Sequence, residues 1–148
     1  MKITCVVGAR PQFIKLAPFL SKCKKIGHNI RTIHTGQHYD KNMSDVFFDE
    51  LGLDKPNSNL EIGPASQTEQ IAKIMLGLEQ DLEDNEPDWV VVFGDTTSTI
   101  AASIVASKMG IRLAHIEAGL RSFNRDMPEE INRIVSDHVS DLLFVPSS

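Results

Sequence analysis

Acidic side chains directly follow two apolar runs of this sequence, and another acidic pair begins a helix-like segment. Asp95 comes after the run VVVFG, and Glu117 comes directly after IRLAHI. Glu129 and Glu130 follow Pro128, a residue that is favoured in the first turn of a helix. Carboxylates crowded in a partly dry cleft have their pKa values pushed apart, so that one can serve as an acid and another as a base.

Basic residues accompany these carboxylates along the chain. Arg10 and Lys15 follow the first apolar run, where a helix N-terminus would help them to hold an anion. A surface pair beside a helix cap is an equally good interpretation of these two residues. Glu117 ends an apolar segment, where an unpaired carboxylate is costly, and Arg121 is a candidate partner for it. For Asp95 the alternative role is simpler, because Asp95 or Thr96 could cap the helix that follows.

Apolar runs alternate with helical patterns from one end of the chain to the other. This alternation predicts an α/β fold, a doubly wound parallel sheet with helices on both faces. The predicted strands are KITCVVG, NIRTIHTG, PDWVVVFGD, IRLAHIE and DLLFVPSS. The predicted helices are PQFIKLAPFLSKCKKIG, NMSDVFFDELG, SQTEQIAKIMLGLEQDLEDN, STIAASIVASKMG and PEEINRIVSDHVS, and LDKPNSNLEIGPAS is predicted to be a loop.

The polar residues are distributed unevenly between the two ends of the predicted strands. Ligands of open parallel sheets bind at the carboxyl ends of the strands. The strand exits carry Gly8-Ala9-Arg10, Thr35-Gly36-Gln37-His38, Gly94-Asp95-Thr96-Thr97 and Glu117-Ala118-Gly119-Leu120-Arg121, whereas the starts carry only Lys2, Asn29, Asp88 and Ile111. This asymmetry predicts a binding site at the exits.

Helical spacing assigns the residues that follow Pro128 to different faces of the helix. Glu129, Asn132 and Arg133 fall on one face, because they are three and four residues apart. The same spacing predicts that Ile131, Ile134 and Val135 face the core. Glu130, Asp137 and Asp141 are interpreted as solvated helix charges.

Composition and charge limit the classes of function. The chain has 148 residues, a net charge of -5 and 41% hydrophobic residues, which is typical of one globular domain. The acidic balance argues against nucleic acid or an anionic membrane as a partner. No apolar run approaches the roughly 20 residues of a membrane span, and the N-terminus does not have the pattern of a signal peptide. We expect a cytoplasmic protein whose two cysteines, Cys5 and Cys23, are reduced and buried.

No cofactor or metal motif is present in the sequence. GARPQFIK is not a phosphate-binding loop of the Walker type, and GxGxxG follows none of the predicted strands. HTGQH places two histidines four residues apart, but across a strand end and a turn rather than on a helix. We therefore predict neither a metal site nor a resident cofactor.

Five segments together resemble one enzyme family. GARPQFIKLAP, TGQHYD, VVFGDTTST, AHIEAGLRS and MPEEINR resemble, in order and spacing, the motifs of the non-hydrolysing UDP-N-acetylglucosamine 2-epimerases. The resemblance implies the N-terminal Rossmann-like domain of a GT-B-type two-domain enzyme, with the nucleotide-binding C-terminal domain outside residues 1–148. It also implies a cytoplasmic homodimer that supplies polysaccharide biosynthesis.

The family interconverts UDP-GlcNAc and UDP-ManNAc by eliminating UDP and adding it back, with the proton returned to the other face of C2. By resemblance, Asp95, Glu117 and Glu129 are the catalytic carboxylates. The implied substrate-binding residues are Arg10, Lys15, Gln37, His38, Thr96, Arg121, Asn132 and Arg133. The fragment by itself is expected to be inactive, because half of the cleft would be missing.

Two segments depart from the family pattern and leave alternatives open. UDP-GlcNAc epimerases carry TRPEAIK and AQHR where this chain has ARPQFIK and GQHY. The variant is more similar to the branch that acts on a UDP-2,3-diacetamido uronic acid, and Tyr39 and Asp40 stand where bacterial enzymes form part of an allosteric site. A stand-alone binding or regulatory α/β domain is the alternative of another class. A GT-B glycosyltransferase half is a third, which the DTTST and PEEINR segments disfavour.

Overall fold

The described strands of the protein form one parallel sheet of six. In the computed structural model, residues 1–36 and 49–146 are described. The strands are β1 (Lys2–Val7), β2 (Asn29–His34), β3 (Ser58–Asn59), β4 (Trp89–Phe93), β5 (Arg112–Ile116) and β6 (Leu142–Phe144). The helices are α1 (Arg10–Ile26), α2 (Gln67–Asn85), α3 (Thr97–Lys108) and α4 (Pro128–Val139), and residues 49–51 are also helical.

The strand order confirms the doubly wound α/β fold. It is β3-β2-β1-β4-β5-β6, and every neighbouring pair is parallel. The chain builds outwards from β1 to β3 and then returns to the other side of β1 with β4. The β1–β4 junction is therefore the point where the winding direction reverses, and such a reversal leaves a crevice at the carboxyl ends of the strands.

Two apolar cores cover the two faces of this sheet. In β4, Val90 and Val92 face one core, whereas Val91 and Phe93 face the other. Helices α2 and α3 cover the first face, and α1 covers the second. Burial of the strand on both sides confirms the interpretation of its unbroken apolar run.

The short strand β3 was not predicted. Ser58 and Asn59 lie in the segment that was assigned to a polar loop, and two polar residues carry no strand pattern. Backbone contacts beyond the strand itself extend the pairing, since the Leu60 N–H donates to the His34 carbonyl at 2.9 Å and the Asn57 N–H to the Thr32 carbonyl at 2.8 Å. Tertiary pairing with β2 therefore determines β3.

Both cysteines are buried and free, in agreement with the sequence. Cys5 lies in β1 and Cys23 in α1, and burial raises the pKa of both thiols. Helix α1 continues through Pro18 to Ile26, and Gly27, which has φ 92°, caps its C-terminus. Among the described helices, none combines the length and the apolar content of a membrane span.

Helix α4 does not bury the face that spacing predicted. Ile131 is 40% exposed, and Ile134 and Val135 are only half-buried, so the prediction of a core-facing isoleucine at 131 is wrong. The buried residues are instead Glu130, Asn132 and Ser136. The helix packs against α3 and against the turn before it, and polar groups of that turn meet its polar side chains.

Candidate active site

The carboxyl ends of β1, β4 and β5 meet around two adjoining cavities. One cavity, of about 320 Å³, is lined by Ala9, Gln67, Gln70, Asp95, Thr96, Thr97, Pro128, Glu129 and Asn132. The other, of about 140 Å³, is lined by Ala9, Pro11, Gln12, Lys15, Phe93, Gly94, Asp95, Thr96 and Glu117. Asp95 lines both cavities, so all three predicted catalytic carboxylates lie along one cleft at the predicted edge of the sheet.

Close packing under this cleft requires a glycine at the end of β1. A Cβ added to Gly8 would lie 2.3 Å from Oγ of Ser98 and 2.5 Å from Oγ1 of Thr35. The two hydroxyls are themselves hydrogen-bonded at 2.8 Å. Gly8 therefore allows the first residues of α3 to approach the ends of β1 and β2, which brings Asp95 towards the start of α1.

Glu117 is held at the exit of β5 with its backbone in the left-handed region. Its φ is 68°, an unusual conformation for a residue with a side chain, and such backbone strain is often found at functional sites. The carboxylate pairs with the ammonium group of Lys15 in α1. The candidate pairing of Glu117 with Arg121 is thus wrong, because Arg121 donates to Asp137 at 2.7 Å.

Asp95 is fixed from α4 by two neighbouring side chains. Nε of Arg133 donates to Oδ2 of Asp95 at 2.9 Å, and Nη2 of the same guanidinium lies 2.7 Å from that oxygen. The Asn132 amide donates to the backbone carbonyl of Asp95 at 2.9 Å. Burial of the guanidinium would lower the pKa of Arg133, but Asp95 and Glu130 outweigh this effect and raise it. Arg133 therefore stays charged beside a carboxylate that it orients.

The adjacent residues Glu129 and Glu130 have different environments. Glu129 is exposed and lines the larger cavity. Glu130 is buried, and its two carboxylate oxygens accept the Ser122 N–H at 3.0 Å and the Phe123 N–H at 2.7 Å. The bond from Ser122 is the main reason that the pKa of Glu130 is lowered, with Phe123 and Arg133 adding to it against the opposing effect of burial. The prediction that Glu130 is a solvated charge is wrong.

The side chain of Asp137 is also buried and bound rather than solvated, contrary to prediction, whereas Asp141 is exposed, as predicted. Asp137 accepts hydrogen bonds from Arg121, from the Gly119 N–H at 3.0 Å and from His115. Asp141 accepts the Leu113 N–H at 2.8 Å. Helical periodicity marks both carboxylates as polar but gives no information on the loop and strand that supply their donors.

Thr96 caps α3, which confirms the simpler role considered for this segment. Its hydroxyl accepts the Thr99 N–H at 3.4 Å, and it also accepts a hydrogen bond from Gln12 at 3.0 Å. Gln12 was not predicted as a site residue, although a buried amide in the first turn of a helix needs partners. Its oxygen accepts the Gly8 and Ala9 N–H groups, and its nitrogen donates to the Phe93 carbonyl at 2.8 Å. Gln12 thus connects the loops after β1 and β4.

The structure describes only some of the remaining predicted site residues. Arg10 begins α1, and nothing is described of its side chain. Gln37 and His38 lie outside the described residues, so their predicted role stays a prediction. His34, the first histidine of HTGQH, accepts the Gly36 N–H on Nδ1 at 2.8 Å. Burial lowers the pKa of His34 to about 4, so it is neutral at pH 7. Within residues 1–36 and 49–146 no three His, Cys, Asp or Glu side chains are placed to hold a metal ion.

Comparison with known proteins identifies the family. The family model described as UDP-N-acetylglucosamine 2-epimerase matches residues 21–148. A UDP-N-acetylglucosamine 2-epimerase homolog of Methanococcus maripaludis is 52% identical over 99% of this chain and 41% of its own length. The UDP-2,3-diacetamido-2,3-dideoxy-D-glucuronate 2-epimerase of Pseudomonas aeruginosa is 48% identical over 99% of this chain and 42% of its own length.

A solved structure shares the same fold. The Methanocaldococcus jannaschii UDP-GlcNAc 2-epimerase, crystallised with UDP-GlcNAc and UDP, superposes with a TM-score of 0.95 at 48% identity. The match covers 99% of this chain and 41% of that one. The structural neighbours are GT-B-type epimerases, and this chain corresponds to their N-terminal portion, about two fifths of the length of the relatives that it matches. This chain therefore belongs to the UDP-N-acetylglucosamine 2-epimerase family.

Proposed function

We propose that this chain is the N-terminal domain of a UDP-GlcNAc 2-epimerase, and that Asp95, Glu117 and Glu129 are its catalytic carboxylates. The observation that carries the proposal is their convergence on one cleft from three different elements. Two of the three are paired with cations, Lys15 and Arg133. Glu129 faces the same cavity as Asp95. The three carboxylates thus have different electrostatic surroundings, as an acid, a base and a charge-stabilising group require.

The proposed reaction inverts the configuration at C2 of the sugar. C2 has no adjacent carbonyl, so direct loss of its proton is very unfavourable. In the elimination, a carboxylate takes the C2 proton, the C1–O bond to UDP breaks with its electrons, and a C1–C2 double bond forms. In the return step, UDP attacks C1 while an acid delivers a proton to the opposite face of C2. Negative charge in the cleft stabilises the oxocarbenium-like transition states.

Basic residues at the same edge are suited to the diphosphate of the substrate. Lys15 lies beside Glu117, and Arg10 begins the same helix. We propose that both contact the phosphates. The other proposed substrate-binding residues are Gln37, His38, Thr96, Arg121, Asn132 and Arg133. The relatives' greater length supports a second domain that closes the cleft. A cytoplasmic homodimer in polysaccharide biosynthesis is part of the same proposal.

A second substrate is favoured by one group of observations. The segments ARPQFIK and GQHY depart from the pattern of UDP-GlcNAc epimerases, and the similar Pseudomonas protein is named for a UDP-2,3-diacetamido uronate. That substrate would undergo the same inversion at C2. The carboxylates of the cleft would then have the same roles, and only the groups that contact the C3 and C6 substituents would differ.

The proposal is tested with the chain alone and with a fusion to the C-terminal remainder of the Methanococcus maripaludis relative. We expect the fusion to epimerise one of the two UDP-sugars in D₂O with deuterium incorporated at C2. We expect the chain alone to be inactive, because the proposed second domain would form the other half of the cleft. Turnover by the chain alone would refute the need for a second domain. Retention of the original C2 hydrogen during turnover would refute the elimination, and no turnover of either sugar by a folded fusion would refute the function.

A further inference from the structure

The buried ring of His115 lies between the two loops that carry Asp95 and Glu117. The residue is 0% exposed, near the carboxyl end of β5. Its Nδ1 is 2.7 Å from Oδ1 of Asp137, and its Nε2 is 2.6 Å from the carbonyl oxygen of Gly94. The ring therefore connects α4 to the residue that immediately precedes Asp95.

Both neighbours of this ring are hydrogen-bond acceptors. A carboxylate oxygen and a carbonyl oxygen at these distances each require a proton from the ring nitrogen that faces them. The geometry thus points to a His115 that donates from both nitrogens and carries a positive charge. Asp137 supplies the compensating negative charge, and Arg121 adds a second cation on the other side of that carboxylate.

The second oxygen of Asp137 extends the network to the loop after β5. Oδ2 accepts the Gly119 N–H at 3.0 Å and Nη1 of Arg121 at 2.7 Å. Burial would raise the pKa of Asp137, but the bonds from Arg121, Gly119 and His115 outweigh it and keep the pKa below its ordinary value. Gly119 stands two residues after Glu117. A continuous path thus runs from the Gly94 carbonyl through His115 and Asp137 to the Gly119 N–H.

This path joins two turns that depend on each other. Gly94 has φ 71°, which glycine adopts without steric cost, whereas Glu117 has φ 68°, a conformation that surrounding contacts must hold in a residue with a side chain. The two residues are also close in space, because a Cβ added to Gly94 would lie 3.5 Å from Oε2 of Glu117. A shift of either turn would therefore move one carboxylate of the cleft relative to the other.

We propose that His115 and Asp137 are positioning residues, which hold the Asp95 and Glu117 loops at a fixed separation through a buried ion pair. They contact neither the substrate nor the reacting atoms in this proposal. The importance of that separation rests on the proposed function of the two carboxylates. The ion pair itself can be tested independently of any activity.

The first test uses nuclear magnetic resonance on the 148-residue chain. We expect His115 to show two protonated ring nitrogens at pH 7. Asp137→Asn should displace the backbone amide signals of Gly94, Asp95 and Gly119. The matched control is Asp141→Asn, which changes the same type of residue at the other edge of the sheet and should displace Leu113 instead. A singly protonated ring, or unmoved Gly94 and Asp95 amides in Asp137→Asn, would overturn the proposal.

The second test measures turnover in the two-domain fusion. We expect Asp137→Asn to lower kcat by about ten- to a hundredfold per folded molecule, because the reacting groups are misplaced, and to raise KM as well, because Asp137 also holds Arg121, a proposed substrate-binding residue. His115→Phe, which keeps an aromatic ring, removes both donors and leaves Arg121 bound to Asp137, should lower kcat to a similar extent with KM within about twofold. Asp141→Asn should leave kcat unchanged.

The two tests separate the possible failures. An unchanged kcat in both folded variants would assign His115 and Asp137 to stability alone and refute positioning. If the unaltered fusion is inactive on both UDP-sugars, the proposed function fails. In that case the amide signals of Gly94, Asp95 and Gly119 still decide whether the ion pair holds the two loops.

Discussion

The two edges of the sheet use carboxylates in different ways. At the amino edge, Asp88 accepts the Lys2 N–H at 2.8 Å, and its own N–H donates to the Lys2 carbonyl at 2.8 Å. Asp141 and Leu113 repeat this reciprocal arrangement, with both distances again 2.8 Å. These carboxylates fix the start of one strand against the next by binding backbone groups.

At the carboxyl edge, Asp95 and Glu117 are held by charged side chains instead. Asp95 binds Arg133 and Glu117 binds Lys15, and each cation comes from a helix that is distant in sequence. The backbone under Glu117 is in the left-handed region. A carboxylate that binds a backbone N–H completes the fold, whereas one that is held by a cation beside a cavity remains available to a ligand. The difference between the edges thus separates structural from candidate catalytic carboxylates.

The largest expected effect compares one carboxylate from each edge. Glu117→Gln should lower kcat of the two-domain fusion by at least about a hundredfold, because a neutral amide can neither take nor deliver the C2 proton. Asp88→Asn should leave kcat within about twofold. The measurement is steady-state turnover with deuterium incorporation at C2, on variants whose folded fraction is known. Equal losses in the two variants would remove the functional distinction between the edges.

The next prediction compares two histidines at opposite ends of β2. His34 is buried at the carboxyl end of the strand with a pKa lowered to about 4, whereas His28 precedes the strand. The unfolded chain protonates His34 near pH 6.5 and the folded chain only near pH 4, so stability is lost as pH falls through this window. The loss should be about 3 kcal/mol.

Urea unfolding between pH 7 and pH 4 measures this loss. His34→Asn should flatten the dependence on pH, and His28→Asn should leave it unchanged. A dependence that survives in His34→Asn would place the responsible group elsewhere in the molecule.

Much of the fold, and the edge that carries the site, could be predicted from the sequence. Unbroken apolar runs define buried parallel strands, and the residues that follow those runs must meet at one edge. Asp95 and Glu117 were found in this way. What sequence periodicity could not give is the partner of each polar residue. Glu129 and Glu130 are adjacent and chemically identical. Only the carboxylate of Glu130, however, accepts hydrogen bonds from two backbone N–H groups of the preceding turn.

The same limit explains the other errors. His115 and Asp137 are 22 positions apart, and nothing local indicates that they form a pair. Gln12 is identified only when the Phe93 carbonyl is known to lie beside it. Strand β3 has no pattern of its own and depends on β2. Local sequence patterns therefore predict the helices, the strands and the residues that follow each strand. Long-range contacts determine which polar side chains have a structural role.

A smaller effect is expected from filling the space at Gly8. Gly8→Ala should destabilise the chain by about 2 kcal/mol, because the added methyl group would overlap the hydroxyls of Ser98 and Thr35. Gly63→Ala is the matched control, since nothing lies within 4 Å of a Cβ at that position. Thermal unfolding of the two variants checks the difference. A Gly8→Ala variant as stable as Gly63→Ala would mean that α3 can move away from β1 at little cost.

The smallest effect removes backbone strain at both edges. Glu117 has φ 68° at the carboxyl edge, and Glu86 has φ 43° just before β4 at the amino edge. At each position the glycine variant should be more stable than the alanine variant by about 1 kcal/mol, because only glycine adopts this conformation without steric cost. Glu86→Gly should retain the activity of the fusion, whereas Glu117→Gly should lose it. Strain that can be removed without loss at Glu86 but not at Glu117 would place the function of this chain at the carboxyl edge, and equal behaviour of the two glycine variants would argue against it.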